Sequence, residues 1–247
     1  MSHYFITGAS AGIGAALAKM LTDDGHAVSA VARRKQRLAA IENSTDLFCG
    51  YAADVRDADA IAAAVATSHD TFGPVDVAIL NAGIYVPQDG KNIEPGVYAD
   101  HMNINYMGVV NALAAVVPKM LAAGRGHIIM ISSVAGWRGL PKAAAYGPTK
   151  AALISLAESL YFDLTPKNIK IQVICPGFVD TEATAVNDFD MPDLMSAETA
   201  AKHIIAEMKS DMFLVSFPKS FTRKIKFLKY LPDRLYFSLV GKQTGTN

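Results

Sequence analysis

Apolar residues along this chain gather in short unbroken runs, and between the runs they recur every three or four positions. The runs at 3–7, 27–32, 46–53, 75–80, 127–131, 169–175 and 212–215 predict strands. The fourth of them is continuous in apolar residues after Asp76 rather than alternating, as a parallel strand buried on both faces should be. The stretches 15–21, 58–68, 97–123, 145–164 and 197–208 predict helices. Strand and helix in alternation argue for βαβ units with right-handed crossovers. The class is therefore α/β: a doubly wound, Rossmann-like parallel sheet of about seven strands with helices on both faces. One helix carries a flaw in its pattern. Asn105 sits in the middle of an apolar stretch, where it is costly without partners, and Gly108 weakens the helix further on. A local irregularity is expected there.

Composition narrows the class. With 247 residues, 51% hydrophobic and 19% charged, the chain can bury a sizeable core, and one domain spanning 1–247 is expected. The formal net charge of zero gives no general pull toward nucleic acid. Cys49 and Cys175 form no C-x-x-C unit and read as two buried thiols in a reducing compartment. The histidines are scattered, with no H-E-x-x-H or Cys/His cluster, so no metal site is expected. The start of the chain runs directly into a strand, leaving no room for a signal peptide. No apolar stretch reaches the ~18 to 20 uncharged residues of a membrane span. A soluble, cytoplasmic protein is expected.

Three stretches carry candidate chemistry. Gly8, Gly12 and Gly14 follow the first strand and open the first helix, where backbone N–H groups and a positive helix end suit a phosphate. Their spacing is G-x-x-x-G-x-G rather than the commoner G-x-G-x-x-G. The second strand ends at Ala32 and is followed by Arg33 and Arg34. At that point of a doubly wound fold an acid would bind ribose hydroxyls, whereas arginines suit a 2′-phosphate. The alternative is a basic cap on a strand–helix loop. Tyr146 and Lys150 lie four residues apart, on one face of a helix and one turn from each other. A fixed cation beside a phenol favours its charged form, which suits proton transfer during hydride transfer to or from a carbon–oxygen bond. Alone, such a pair also describes a solvated helix face. Ser133 follows the fifth strand, and its loop is long enough to fold back to the phenol.

With Thr7-Gly-Ala-Ser-Ala-Gly-Ile-Gly14, Asn81-Ala-Gly83, Asn105, Ser133, Tyr146, Lys150 and Pro176-Gly177 in order, the chain resembles the classical short-chain dehydrogenases/reductases over residues 3–215. The resemblance implies strand order 3-2-1-4-5-6-7. It implies an NAD(P)-dependent oxidoreductase acting on CH–OH and C=O groups. Tyr146 would be the general acid in reduction and the base in oxidation. Lys150 would lower its pKa and hold the nicotinamide ribose. Ser133 would bind the substrate oxygen, and Asn105 a proton-relaying water. Gly8, Ser10, Gly12, Ile13 and Gly14 would carry the pyrophosphate and ribose side, and Asp54 and Val55 would border the adenine. Asn81, Ala82 and Gly83 would support the cofactor, with Val179 and Thr181 on the carboxamide. A homodimer or homotetramer is implied, built on the helices that begin near 97 and 146.

The pattern departs from the family at two places. Ala11 stands where many NADP-preferring relatives carry a basic residue, so preference for NADP(H) over NAD(H) rests on Arg33 and Arg34. Pro148 lies inside the Tyr-x-x-x-Lys motif. Residues 178–196 fall where the family places its substrate lid. Phe178, Phe189, Met191, Leu194 and Met195, with Trp137, are candidates for an apolar pocket suited to a hydrophobic or lipid-like ketone or alcohol. The basic arm, 216–247, carries no family signature. Phe221, Ile225 and Leu228 recur at helical spacing among lysines. The arm therefore either packs over the domain or its dimer mate, or makes a weak peripheral membrane contact. A second functional class, a nucleotide-binding sensor without turnover, would be favoured by loss of the tyrosine or lysine. Both are present.

Overall fold

The structure is a computed structural model in which residues 1–245 are described. Seven strands form one parallel sheet: β1 (His3–Thr7), β2 (Ala27–Ala32), β3 (Phe48–Ala52), β4 (Val77–Leu80), β5 (Gly126–Ile131), β6 (Ile169–Pro176) and β7 (Leu214–Phe217). Their spatial order is β3-β2-β1-β4-β5-β6-β7, as the sequence predicts. The third and seventh strands are shorter or later than the apolar runs suggested. Chain direction across the sheet reverses between β1 and β4, which leaves a crevice outside their carboxyl ends. Thr7 pairs with both Val31 and Leu80, so the loops after β1, β2 and β4 emerge side by side there.

Alternate side chains of each strand serve opposite layers. Phe5 packs with Ile61, Val65, Val109 and Leu153 on one face; Ile6 packs with Leu17, Leu21, Leu38 and Ile204 on the other. The first layer is built from α3 (Ala58–Phe72), α4 (Pro95–His101), α5 (Gly108–Ala123) and α6 (Tyr146–Leu164). The second is built from α1 (Gly12–Asp23), α2 (Lys35–Glu42) and α7 (Ala197–Glu207). Apart from Leu38, none of α2 is fully buried, and a charged helix with so little apolar periodicity left no pattern to read.

The expected irregularity lies where Asn105 placed it. A π-helical turn, Met102–Met107, joins α4 to α5. Gly108 lies against Val55, and a Cβ on it would come within 2.6 Å of the valine Cγ2. By length and composition this composite helix, Pro95–Ala123, is apolar enough to cross a membrane, contrary to the expectation from sequence. The reason is that one flank serves the core: Val109, Ala112, Val116 and Met120 are buried against the sheet. Met102, Met107 and Leu121 are exposed on it.

The arm forms two helices, α8 (Lys219–Lys229) and α9 (Asp233–Thr244), each preceded by a proline, Pro218 and Pro232. Both pack over their own domain. Positions 246 and 247 of the expected arm lie outside the described residues.

Candidate active site

The first strand delivers Thr7 to the crevice, and its hydroxyl oxygen accepts hydrogen bonds from the Asn81 and Ala82 amides, each at 3.1 Å. Asn81 returns its side-chain amide to the carbonyls of Thr7 and Gly8 at 3.1 and 3.2 Å. The ends of β1 and β4 are thereby tied beneath the glycine loop. Gly8 and Gly12 have φ of +74° and +53°, values that L side chains rarely adopt. A Cβ on Gly14 would lie 2.3 Å from the Gly8 carbonyl oxygen. Helix α1 has no side-chain cap at Ala11, so its first-turn amides meet the cavity wall formed by Ser10, Gly12 and Ile13 without one. A tight backbone cradle leading into an uncapped helix end fits a dinucleotide pyrophosphate.

Asp54, Val55, Arg33, Arg34, Asn81, Ala82, Gly83, Val179 and Thr181 all line the same cavity, of about 1110 Å³. Asp54 is bonded by Arg56 at 2.8 Å, which holds its carboxyl below the usual carboxylate range. Arg34 donates to the Ser10 hydroxyl at 3.1 Å and to Glu182 at 2.7 Å. Arg37, one turn along α2, donates to the other oxygen of Glu182 at 2.6 Å. Neither Arg37 nor Glu182 was singled out by the sequence. Arg37 belongs to the helix that was missed, and Glu182 reaches the arginines only through the fold.

At the reacting end, Tyr146 is the first residue of α6 and Lys150 follows one turn later. The Lys150 ammonium lies 5.5 Å from the tyrosine ring centroid and donates to the Ile131 carbonyl at 2.8 Å, which fixes it at the edge of the sheet. Ser133, two residues past the end of β5, lies beside the phenol, and its hydroxyl accepts the Ala135 amide at 3.1 Å. The expectation that Lys150 lowers the tyrosine pKa needs correction for the polypeptide as it stands. Burial pushes the Tyr146 phenol up to about 12, and the Ser133 hydroxyl pulls the other way without overcoming it. Burial also brings Lys150 down to about 8. Burial disfavours the charged form of each group, and the phenol is neutral at pH 7. Tyr85 packs edge-on against it, with ring centroids 5.2 Å apart.

Asn105 is fully buried, with both N–H groups of its side-chain amide engaged and its oxygen accepting one bond, which leaves that oxygen a second acceptor site. Its carbonyl accepts from the Ile84 amide at 2.7 Å, and its amide donates to the Ile84 carbonyl at 3.0 Å and to the Thr149 hydroxyl at 3.1 Å. Thr149 in turn donates to the Tyr146 carbonyl at 2.7 Å, joining the π-turn to the first turn of α6. Thr149 lies between the two motif residues, with nothing in its spacing to distinguish it. Gly83 permits this approach: a Cβ there would stand 3.2 Å from the Asn105 oxygen.

The remainder of the cavity is apolar. Phe178 packs against Phe189 and Phe221 with centroids 6.0 and 5.5 Å apart, and Tyr85, Ile225, Leu228 and Val240 complete the wall. The apolar stripe of α8 thus faces inward. Trp137 departs from expectation: it is buried in the core beside Cys175. Met191, Leu194 and Met195 do not line the cavity either. Arg138 seats the arm. It donates to the carbonyls of Lys229 and Leu231 at 3.2 and 2.7 Å, pairs with Asp233, and lies 3.9 Å over the Tyr236 ring. The Tyr236 hydroxyl donates to the Gly139 carbonyl at 2.5 Å.

The sequence profile of the short chain dehydrogenase family matches residues 2–192. An uncharacterized oxidoreductase of Myxococcus xanthus is 34% identical over 94% of this chain and 93% of its own length. A 3-dehydrosphinganine reductase of Arabidopsis thaliana is 34% identical over 81% of this chain and 61% of its own. A short chain dehydrogenase of Burkholderia cenocepacia in complex with NADP shares the fold at TM-score 0.85, with 23% identity over 97% of each chain. A 3-ketoacyl-(acyl-carrier-protein) reductase of Brucella melitensis complexed with NADH shares it at TM-score 0.81, with 24% identity over 87% of this chain and 96% of its own.

Proposed function

Because the chain belongs to the short chain dehydrogenase family and is an oxidoreductase, we propose that it interconverts a ketone or aldehyde with its alcohol using NADP(H). The observation that carries this reading is the convergence of Ser133, Tyr146 and Lys150 at the carboxyl edge of the sheet, in the cavity that the glycine loop also lines. A bound nicotinamide supplies or accepts the hydride. In reduction, Tyr146 donates its phenolic proton to the substrate oxygen while Ser133 holds that oxygen in place. In oxidation the same phenol takes the proton. Lys150 holds the nicotinamide ribose, Val179 and Thr181 the carboxamide, and Asn105 a water that returns the proton to solvent. Preference for NADP(H) rests on Arg33 and Arg34, joined by Arg37. NAD(H) is the second cofactor.

An apolar substrate follows from the aromatic wall of Tyr85, Phe178, Phe189 and Phe221. Two of the similar proteins are named as reductases of a 3-dehydro and a 3-keto compound, which supports screening ketones first. The exposed Met107 and Leu121, with Tyr161 and Phe162 on α6, suit a homodimer or homotetramer. A cytoplasmic location belongs to the same reading. Arg223, Phe227 and Tyr230, exposed on α8, suit weak peripheral contact with an anionic membrane.

Tyr146→Phe tests the enzyme reading. Turnover should fall by about 10² to 10⁴-fold while NADPH binding persists. A wild-type protein that binds NADPH but turns over none of a panel of apolar ketones and secondary alcohols would favour the sensor instead.

A further inference from the structure

Glu182 occupies the place where the adenosine end of the nucleotide would be read. Its two carboxylate oxygens are divided between two guanidinium groups, Arg34 at 2.7 Å and Arg37 at 2.6 Å. The same arginines reach the glycine loop, Arg34 through the Ser10 hydroxyl at 3.1 Å and Arg37 through the Ser10 carbonyl at 3.4 Å. Ser10, Arg33, Arg34 and Glu182 stand together on the rim of the cavity. Three separate segments therefore meet at one carboxylate: the loop after β1, the start of α2, and the chain leaving β6. Glu182 is also held from its own side. The Thr181 amide donates to the Thr184 hydroxyl at 3.0 Å, and that hydroxyl donates to the Val179 carbonyl at 2.6 Å.

We propose that Glu182 is a specificity-determining residue for the cofactor: an internal anion that a 2′-phosphate must displace from Arg34 and Arg37. This rests on the NADP(H) reading above and deepens it. The carboxylate satisfies two arginines with one oxygen each, the arrangement two phosphate oxygens would use. All three side chains are about half exposed, so the pair is screened and individually weak, and a dianion with stronger charge-assisted hydrogen bonds can take the arginines over. A nucleotide without the 2′-phosphate has no need to disturb the pair. Glu182 therefore tempers the preference for NADP(H) and leaves NAD(H) binding untouched. It also links the 2′-phosphate to the chain beside Thr181, which packs on the glycine loop: a Cβ on Gly12 would stand 2.9 Å from the Thr181 Cγ2.

The test is a fluorescence titration of NADPH and NADH against wild type, Glu182→Gln and the double variant Arg34→Ala/Arg37→Ala, at one low ionic strength. Glu182→Gln is expected to tighten NADPH about fivefold and to move NADH by less than about twofold, the scale set by one weak surface pair. Equal shifts for the two nucleotides, or weaker NADPH binding, would overturn the proposal. The double variant separates the levels of failure. If it binds NADPH as wild type does, Arg34 and Arg37 do not read the phosphate and this proposal falls, while the cofactor reading passes to Arg33. If it loses NADPH affinity while Glu182→Gln leaves the NADPH-to-NADH ratio unchanged, the Glu182 assignment alone fails.

Discussion

Replacing Arg138 by leucine removes the group that fastens the C-terminal arm to the loop carrying Ser133. The guanidinium makes a well-formed bond to the Leu231 carbonyl at 2.7 Å and a longer one to Lys229 at 3.2 Å. A hydrogen bond from a charged donor contributes about 1.5–3 kcal/mol. The stacking over Tyr236 at 3.9 Å adds about 0.5–2 kcal/mol. Asp233 is highly exposed, so its ion pair adds about 0–1 kcal/mol. These contributions share one side chain and do not add in full. A net loss of about 2 kcal/mol raises the undocked population of the arm about thirtyfold. Trypsin reads that population, because cleavage at Lys224, Lys226 and Lys229 requires the helix to leave the domain. The variant should lose its arm about thirty times faster than wild type, with an unchanged far-UV spectrum. KM for an apolar ketone should rise more than kcat falls, since Leu228 and Val240 belong to the cavity wall while the Tyr146 end stays intact. Cleavage within about threefold of wild type would refute the idea that Arg138 governs docking.

Two further outcomes are expected. Burial lowers the His127 pKa to about 4 from an ordinary 6.5, so between those values the unfolded chain binds the proton more readily. The stability this represents is present above pH 6.5 and is lost as pH falls toward 4, by about 2 kcal/mol at pH 4.5. His127→Gln should flatten that part of the urea-denaturation profile; parallel wild-type and variant curves would refute it. On the membrane surface, flotation should carry the protein with anionic but not zwitterionic liposomes, and Phe227→Ser/Tyr230→Ser should reduce the bound fraction. A wild-type protein left at the bottom with both would end the idea.

How much of this was legible in the sequence depended on whether a residue's neighbours lay near it in the chain. The strands were readable because burial on both faces left apolar runs such as 27–32, interrupted only by Ser29, and Ala27–Ala32 is buried throughout. Tyr146 and Lys150 were readable because one helical turn fixes their relation. Asn105 and Gly108 announced a local irregularity, because a buried amide in an apolar helix demands partners and a glycine weakens the helix; its form, a π-turn, was not legible. Helix α2 was not readable, since a surface helix with one buried side chain makes no periodic demand. With it went Arg37. Glu182 and Arg138 act on groups that only the fold brings near them. The direction of the Tyr146 shift does not follow from spacing, which shows which charges are close, because dehydration depends on everything packed around them.

The π-turn before α5 changes what this part of the gene encodes. A regular helix from Pro95 to Ala123 would keep one rotational phase, whereas a turn that bonds five residues back inserts about one residue of slack. The segment before it is rotated relative to the segment after it. His101 can therefore face inward to accept the Val86 amide at 3.0 Å, while Asn105 reaches Ile84 and Gly108 seats on Val55. Met102 and Met107, at the two ends of the turn, are exposed. Over these six positions the aim of the buried asparagine depends on the number of residues in the turn, so a single deletion there would swing its side chain away from Ile84.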